Sequence, residues 1–545
     1  MEQDAFRESF AVQQREGLGA LAELSSGDAR FDDELAALLA AGGHDHEIGA
    51  RFLRPSALDL VRDDWGLRDS NSYRYPPLLP PQEVGYGSLA HEYDIPDVTF
   101  RPLRGLAVVP LVIVTAGSVA LHDAGLGRQL LADPWMVAAW CTALAFVLAQ
   151  LALAWLQRPY TVTRRQQGQL DRLWVTVNIP VYNEDPAILD RTIFALFSQT
   201  RLPDHVQVVD DGSAQDYREV REWWEVHHPP GVRFSWVRQE NAGKKHAQSV
   251  TFIGDRNADI FVTIDSDSAL DCCALDEGLK PFADPRVASV AGLETAFNYD
   301  SNLLTRAISA RSVAFQLFAM SAQSKARGNV LINPGAFSLY RADLIREIVP
   351  AYLGETFFGC PVTLGDDTAL TMFALCRGRA VHQPSAVSLP VYPETVSHHL
   401  RQWTRWMRAS TIRTFWRIRY LPVLSYGWLY VVYTLWAFFT SVAITIVIPL
   451  AWPATRNLAI ASGIALVAWP CAIAIRLATV RRSDQRWYSK LGGILLLPAA
   501  ALWYLVVLRQ IRFYGIATCA RQHWVTREKV EVTLHEDQFT KELAA

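Results

Sequence analysis

What this sequence lacks narrows it first. No charge of one sign dominates: 52 Lys and Arg stand against 55 Asp and Glu, a net charge of −3. No basic surface suited to nucleic acid is therefore expected. Cysteine is scarce and odd in number, seven in 545 residues, scattered apart from the pair Cys272 and Cys273, and none shows zinc spacing. Adjacent cysteines seldom bridge each other, so all seven read as reduced thiols in an intracellular or membrane setting. Residues 1–30 are polar and acidic, so no signal peptide is expected. The length exceeds one ordinary core, which implies two or more structural units.

What is present is sharply segregated. Nearly uncharged apolar runs occupy Gly105–Leu121, Trp135–Leu156, Tyr426–Trp452, Leu458–Ile475 and Leu491–Leu508. Each is roughly 17 to 27 residues long, near the ~20 that cross a hydrocarbon core as helix. Arg clusters and interfacial Trp and Tyr flank them, so an integral, multi-pass protein of the cell membrane is predicted. Arg101 and Arg104 precede the first run, and Arg158, Arg164 and Arg165 follow the second. The positive-inside rule then puts residues 160–400 in the cytoplasm, with both termini. Basic residues lie on both sides of the fifth run and Pro498 sits in its middle, which predicts a re-entrant or interfacial element.

Seven segments are expected: an acidic extension and Pro-rich linker over 1–100, two transmembrane helices over 101–158, and a cytoplasmic α/β domain over 159–394. Interfacial amphipathic helices over 395–424, two transmembrane helices over 425–477, the re-entrant segment over 478–516 and a cytoplasmic tail over 517–545 complete them. Within 160–400, "WVTVNIPVYNED", "HVQVVDDGS", "RFSWVRQEN" and "DIFVTIDSDS" read as strands, each followed by a helical string. Such alternation predicts a mainly parallel sheet with ligands at the strands' C-terminal ends.

Those strands end in acids: Glu184, then Asp210 and Asp211, then Asp265 and Asp267. Carboxylates gathered at one sheet edge repel unless a cation or hydrogen-bond donors offset them. Hard oxygen donors favour Mg²⁺ or Mn²⁺, which keep waters and bind substrate phosphates. Lys244 and Lys245 open a helix after a Gly, where they are either solvated surface lysines or phosphate ligands. Asp366 and Asp367 stand at another helix start, as caps or with one of them a general base. Gln402, Arg405 and Trp406 fall at i, i+3 and i+4 on one face of a basic, aromatic helix. That helix suits a membrane surface, and Arg405 could also meet a leaving diphosphate.

The order "VYNED", "VVDDGS", "GKK", "DSD", "GDD" and "QWTRW" resembles the processive family 2 glycosyltransferases, in which a GT-A catalytic domain is fused to membrane helices. With "SAQS", "INPGAFSLYR" and the late "WVTR", the chain looks most like the hyaluronan synthases and their chitin-oligosaccharide-synthase relatives. The resemblance covers roughly residues 100–530. It implies that Tyr182, Glu184 and Asp211 surround the uracil and ribose of a UDP-sugar, with Lys244 nearby. Asp265 and Asp267 would bind the nucleotide, Asp267 through the metal, and Asp367, beside Asp366, would be the base. Gln402, Arg405 and Trp406 would border acceptor and diphosphate, and Trp524 and Arg527 would close over the nucleotide.

The expected function is a membrane-embedded, inverting polysaccharide synthase using UDP-GlcNAc and UDP-glucuronate, with Mg²⁺ or Mn²⁺, and a growing polysaccharide as acceptor. Other readings are a chitin-like or glucan product, or single transfer to a lipid-linked acceptor. A transporter or glycan sensor with a degenerate transferase domain is a further one, and the intact acids argue against it.

Overall fold

The computed structural model describes residues 68–69, 89, 91–102, 112, 134–443, 446, 450 and 473–521. The predicted runs at Gly105–Leu121 and Leu458–Ile475 lie almost wholly outside them.

Nine strands form the main sheet: β1 (Arg68–Asp69), β2 (Val175–Val181), β3 (His205–Asp210), β4 (Arg233–Arg238), β5 (Ile260–Thr263), β6 (Ser268–Leu270), β7 (Val287–Glu294), β8 (Ser338–Arg341) and β9 (Arg379–Pro390). Their order is β1-β4-β3-β2-β5-β8-β7-β9-β6. Strands β4, β3, β2 and β5 are parallel neighbours. β2, β3 and β5 are buried along their whole length, as a parallel sheet covered on both faces requires.

The mainly parallel sheet expected from the sequence needs correction. β8 runs antiparallel to both β5 and β7, β6 antiparallel to β9, and β1 antiparallel to β4. β6 follows Thr263 after four intervening residues yet pairs at the sheet edge with β9, and β8 enters between β5 and β7 from the opposite direction after the long excursion through the helix Leu303–Phe315. β9 pairs parallel with β7, and its register shifts between His382 and Val387, where Pro384 sits in the irregular stretch.

Strand order reverses between β2 and β5, because β3 lies on one side of β2 and β5 on the other. The carbonyl of Asn178 accepts the Ile264 N–H, while that of Val181 accepts the Asp211 N–H. Alternation along the strand therefore turns residue 180 toward β5, where pairing has already ended at Asn178 opposite Thr263. A proline fits there because no donor is needed. β2 and β5 part at this point and leave a crevice.

An apolar helix, α1 (Pro134–Leu156), lies between β1 and β2 in the chain. Helices α2 (Pro186–Phe197), α3 (Arg218–His227), α4 (Lys244–Gly254) and α5 (Ala274–Leu279) follow the strings predicted to be helical. α2 begins where Asp185 accepts the Ala187 N–H and Pro186 supplies a preset first turn. A long helix, α6 (Leu303–Phe315), continues through a π-helical turn at Gln316–Met320 into Ser321–Lys325. α7 (Asp366–Arg377), α8 (Val396–Tyr420) and α9 (Tyr426–Val442) follow.

The last apolar run does not break. α10 (Trp487–Trp503) includes Pro498 and continues through Tyr504–Leu508 and Arg509–Ala517 as one 31-residue rod. Among the described residues it is the one helix long and apolar enough to cross a membrane. Trp403 of α8 ties to it by donating its indole N–H to the Leu508 carbonyl at 3.0 Å.

Candidate active site

The crevice between β2 and β5 gathers side chains from six chain segments. β5 ends in the turn Asp265–Ser266–Asp267. The Asp265 N–H donates to the Gly335 carbonyl, and a Cβ at Gly335 would sit 2.9 Å from an Asp265 carboxylate oxygen. Glycine at 335 is thus what lets the "NPGAF" loop close over Asp265. From beneath, the buried Arg191 of α2 donates to the Asp267 carbonyl at 3.0 Å. Burial pulls that guanidinium down to about 10, and the nearby Asp267 pulls it back up.

Lys244 opens α4 after Gly243, whose φ of 93° suits glycine. Its ammonium bridges two motifs distant in sequence, 2.5 Å from Asp265 Oδ1 and 2.9 Å from Asp366 Oδ2. Burial alone would lower its pKa, but the two carboxylates hold it well above the usual lysine value. Of the two earlier readings, a solvated surface lysine is excluded for Lys244.

Asp366 and Asp367 occupy the first turn of α7. Burial raises the Asp366 carboxyl, but Lys244 outweighs it and leaves the group low. Asp367 goes the other way, pushed up to about 7 by burial and by Asp366, with Lys244 opposing. Paired carboxylates split in this way supply one group near neutrality, which a general base requires.

The loop before α7 needs Gly365 twice over. Its φ is 75°, and a Cβ would meet the Ala409 methyl of α8 at 2.9 Å. Ala409 lies four residues after Arg405, so this contact falls on the stripe of Gln402, Arg405 and Trp406. Arg405 and Gln402 are half-buried, while Trp406 is 45% exposed.

Glu184 is buried after β2 and accepts the Ser266 hydroxyl at 3.0 Å, linking the two walls of the crevice. Tyr182, two residues earlier, is half-buried. The two acids of "VVDDGS" have internal duties. Asp210 is buried against Arg238 at 3.3 Å, with burial pushing it up to about 6 and Arg238 opposing. Asp211 accepts from the Gln239 side chain and from the backbone of Ala242 and Gly243 at 2.9 and 2.8 Å. It thereby shapes the loop that presents Lys244. Trp524 and Arg527 lie outside the described residues.

One acid escaped the sequence reading. Glu294 ends β7, and its carboxyl is pushed up to about 8 by burial and by Asp265, Asp367 and Asp267, while the Ala336 N–H opposes. The signal was available, since Glu294 is another acid at a strand's C-terminal end. Gln316, in the π-helical turn, fixes its backbone by accepting the Glu294 N–H at 2.8 Å and donating to its carbonyl at 3.2 Å. Arg191 gave no signal beyond a cation in an apolar helical string. "SAQS" proves structural: Ser324 accepts the His382 N–H at 3.0 Å and Gln323 accepts the Leu331 N–H at 3.1 Å.

The arrangement is a crevice with an excess of hard oxygen donors, one shared ammonium and one carboxylate poised near neutrality. Asp265, Asp267 and Glu294 repel one another, and carboxylate oxygens are the donor type that Mg²⁺ or Mn²⁺ accept.

A model of the glycosyl transferase family group 2 matches residues 260–479. The hyaluronan synthase of Streptococcus pyogenes is 30% identical over 396 residues, covering 71% of this chain and 90% of that protein. The N-acetylglucosaminyltransferase of Rhizobium meliloti (strain 1021) is 32% identical over 254 residues, 46% of this chain and 59% of its own length. Among solved structures, a mannosyltransferase from Pyrobaculum calidifontis in complex with GDP-Man and Mn²⁺ aligns at 20% identity with a TM-score of 0.43, covering 77% of this chain and 99% of that one.

Proposed function

The chain belongs to the family 2 glycosyltransferases, with their GT-A-like fold, and we propose that it is a membrane-integrated, processive and inverting synthase building hyaluronan from UDP-GlcNAc and UDP-glucuronate. The observation that carries this reading is the single ammonium of Lys244 joining Asp265 to Asp366, with Asp367 pushed up beside it.

In this reading Tyr182, Glu184 and Asp211 line the nucleoside side of the crevice. An acceptor hydroxyl gives its proton to Asp367, and its oxygen attacks the donor's anomeric carbon. The bond from that carbon to the diphosphate oxygen breaks, and UDP leaves with the electron pair. A positioned base of this kind contributes about 10²–10⁴-fold. Lys244 and Arg405 face the charge that develops on the departing diphosphate. Gln402 and Trp406 border the acceptor, and the exposed indole offers a face on which a sugar ring can stack. Asp265, Asp267 and Glu294 would hold Mg²⁺ or Mn²⁺, which when bound offsets diphosphate charge. Trp524 and Arg527 would close over the nucleotide.

The membrane part of the proposal rests on apolar surface. Leu495, Leu502 and Val506 on the long rod are 70, 53 and 58% exposed, which a helix inside a water-soluble core would not tolerate together. With α1 and α9 the rod would border the path by which polymer leaves, its exposed apolar face turned to lipid. A second reading, a GlcNAc polymer alone, draws on the likeness to the Rhizobium protein.

The test is UDP release by the detergent-solubilised protein with Mn²⁺ or Mg²⁺. UDP-GlcNAc and UDP-glucuronate are given singly and then together, and the product is sized on a gel. A long, hyaluronidase-sensitive polymer formed only with both donors is expected. Steady turnover on UDP-GlcNAc alone would establish the second reading, and turnover on neither would reject both donors.

A further inference from the structure

On the far side of β6 from the crevice, a second group of ligand-type atoms comes together. Asp271, Cys272 and Cys273 form the turn from β6 into α5, and their carboxylate and two thiols all lie within 4.8 Å of one another. Consecutive side chains usually diverge, yet here the two Sγ atoms are 3.4 Å apart. A fourth group stands at the edge of this trio: Asp97 Oδ1 is 3.6 Å from Cys272 Sγ, and a turn of its exposed side chain would complete the set. A tetrahedral ion with Zn–S of ~2.3 Å and Zn–O of ~2.1 Å has ligand-to-ligand edges of roughly 3.4–3.8 Å. The S···O separation of 3.6 Å matches the S–O edge of ~3.6 Å, and the S···S separation of 3.4 Å reaches the S–S edge of ~3.8 Å by a small opening of the two thiols.

The turn is held in place before any ligand binds. The Asp271 carbonyl accepts Gln199 Nε2 at 2.8 Å, and the Cys272 carbonyl accepts the Thr200 N–H at 2.8 Å. Asp271 Oδ1 takes the Val98 N–H at 2.7 Å and Oδ2 the Cys273 N–H at 3.3 Å, outer contacts that orient the carboxylate. Both thiols are half-buried and Asp97 is exposed, so an ion can reach them. Two carboxylates beside two thiols leave the group short of positive charge, and among the described residues its side-chain contacts include no Lys or Arg.

We propose that Asp97, Asp271, Cys272 and Cys273 form a binding site for a thiophilic divalent cation of the Zn²⁺ type. It is separate from the hard-oxygen crevice, since thiolates select soft or borderline ions over Mg²⁺. Its effect is mechanical. Asp97 precedes the strand Val98–Phe100, which pairs antiparallel with Val480–Arg482 just before the long apolar rod. Asp271 directly follows the strand that begins one residue after Asp267. The ion ties the segment next to the rod to the strand that carries the crevice acids.

The full-length reduced protein in detergent is titrated with Cd²⁺, read by thiolate-to-metal charge-transfer absorption, and with Zn²⁺, read by X-ray absorption at the zinc edge. One ion per chain with two sulfur and two oxygen neighbours is expected. Cys272→Ser with Cys273→Ser should abolish the sulfur signal. Asp97→Asn, an exposed change that leaves the fold intact, should weaken binding on the order of 10-fold. Cys360→Ser, at an exposed thiol elsewhere, should change nothing. A charge-transfer signal that persists in the double serine variant, or Cd²⁺ affinity unchanged in Asp97→Asn, would overturn the proposal, as would no sulfur-bound ion in the unaltered protein.

Discussion

Two neighbouring lysines at the start of α4 enter two different electrostatic worlds. Lys244 points into the crevice, where its ammonium pairs with Asp265 and Asp366 and also acts on Asp367. Lys245 points into the protein, where its ammonium lies 2.8 Å from Glu355 and also donates to the Val362 carbonyl at 2.6 Å. Arg413 of α8 grips the same Glu355 through both guanidinium nitrogens, and Trp416 donates to it at 3.1 Å. Burial drives Lys245 down, against Glu355. Burial would raise Glu355 too, but Arg413 and Lys245 hold it at about 2. The inner cluster is closed, every lone pair of its one acid spoken for. The crevice cluster is open, with more acid than base, and so remains receptive to a cation and a substrate. The closed cluster fastens α8 to the domain and so sets where Gln402, Arg405 and Trp406 stand.

That contrast can be broken or sharpened by substitution. The largest effect is expected in the open cluster: Asp367→Asn should lower turnover by about 10²–10⁴-fold. UDP binding by calorimetry should stay near normal, and preserved turnover would remove Asp367 as the base. Next, Glu355→Gln in the closed cluster leaves Lys245 and Arg413 buried without a counter-charge, a loss of about 3–5 kcal/mol. It should appear as a lower thermal midpoint, and an unchanged midpoint would show the cluster to be dispensable.

A subtler effect concerns pH. As the proposed base Asp367 would have to be ionised, and its carboxyl is pushed up to about 7, so the rate should climb as pH rises through that value and level off above it. Lys244 pulls the carboxyl down, so Lys244→Met should move this limb to higher pH. A limb that stays put would mean that a different group controls it. Smallest of all, Trp416→Phe removes one hydrogen bond to Glu355, about 1 kcal/mol of stability, and should leave the limb where it was.

The sequence disclosed much of the crevice because strand-end acids and helix-start cations follow from local patterning. Asp265, Asp267, Asp366, Asp367 and Lys244 could each be placed at an element boundary. It did not disclose which neighbour was which. Nothing local separates Lys244 from Lys245, or Asp210, which is buried against Arg238, from Asp265, which meets Lys244. Those distinctions arise from packing across more than a hundred residues, as between Lys245 and Glu355. The antiparallel strands were missed for a related reason, since β8 finds its place between β5 and β7 only through the long excursion of α6. Arg191 was invisible because its partner is a backbone carbonyl.

Pro180 deserves a last consequence. Parallel strands tend to zip together until something stops them, and the stop here is written into the backbone as a missing donor. A residue with an N–H at 180 would offer the chain beyond Thr263 one more rung. The turn bearing Asp265 and Asp267 would then be drawn toward its neighbour. The place proposed for the substrate begins where the ladder lacks that one donor.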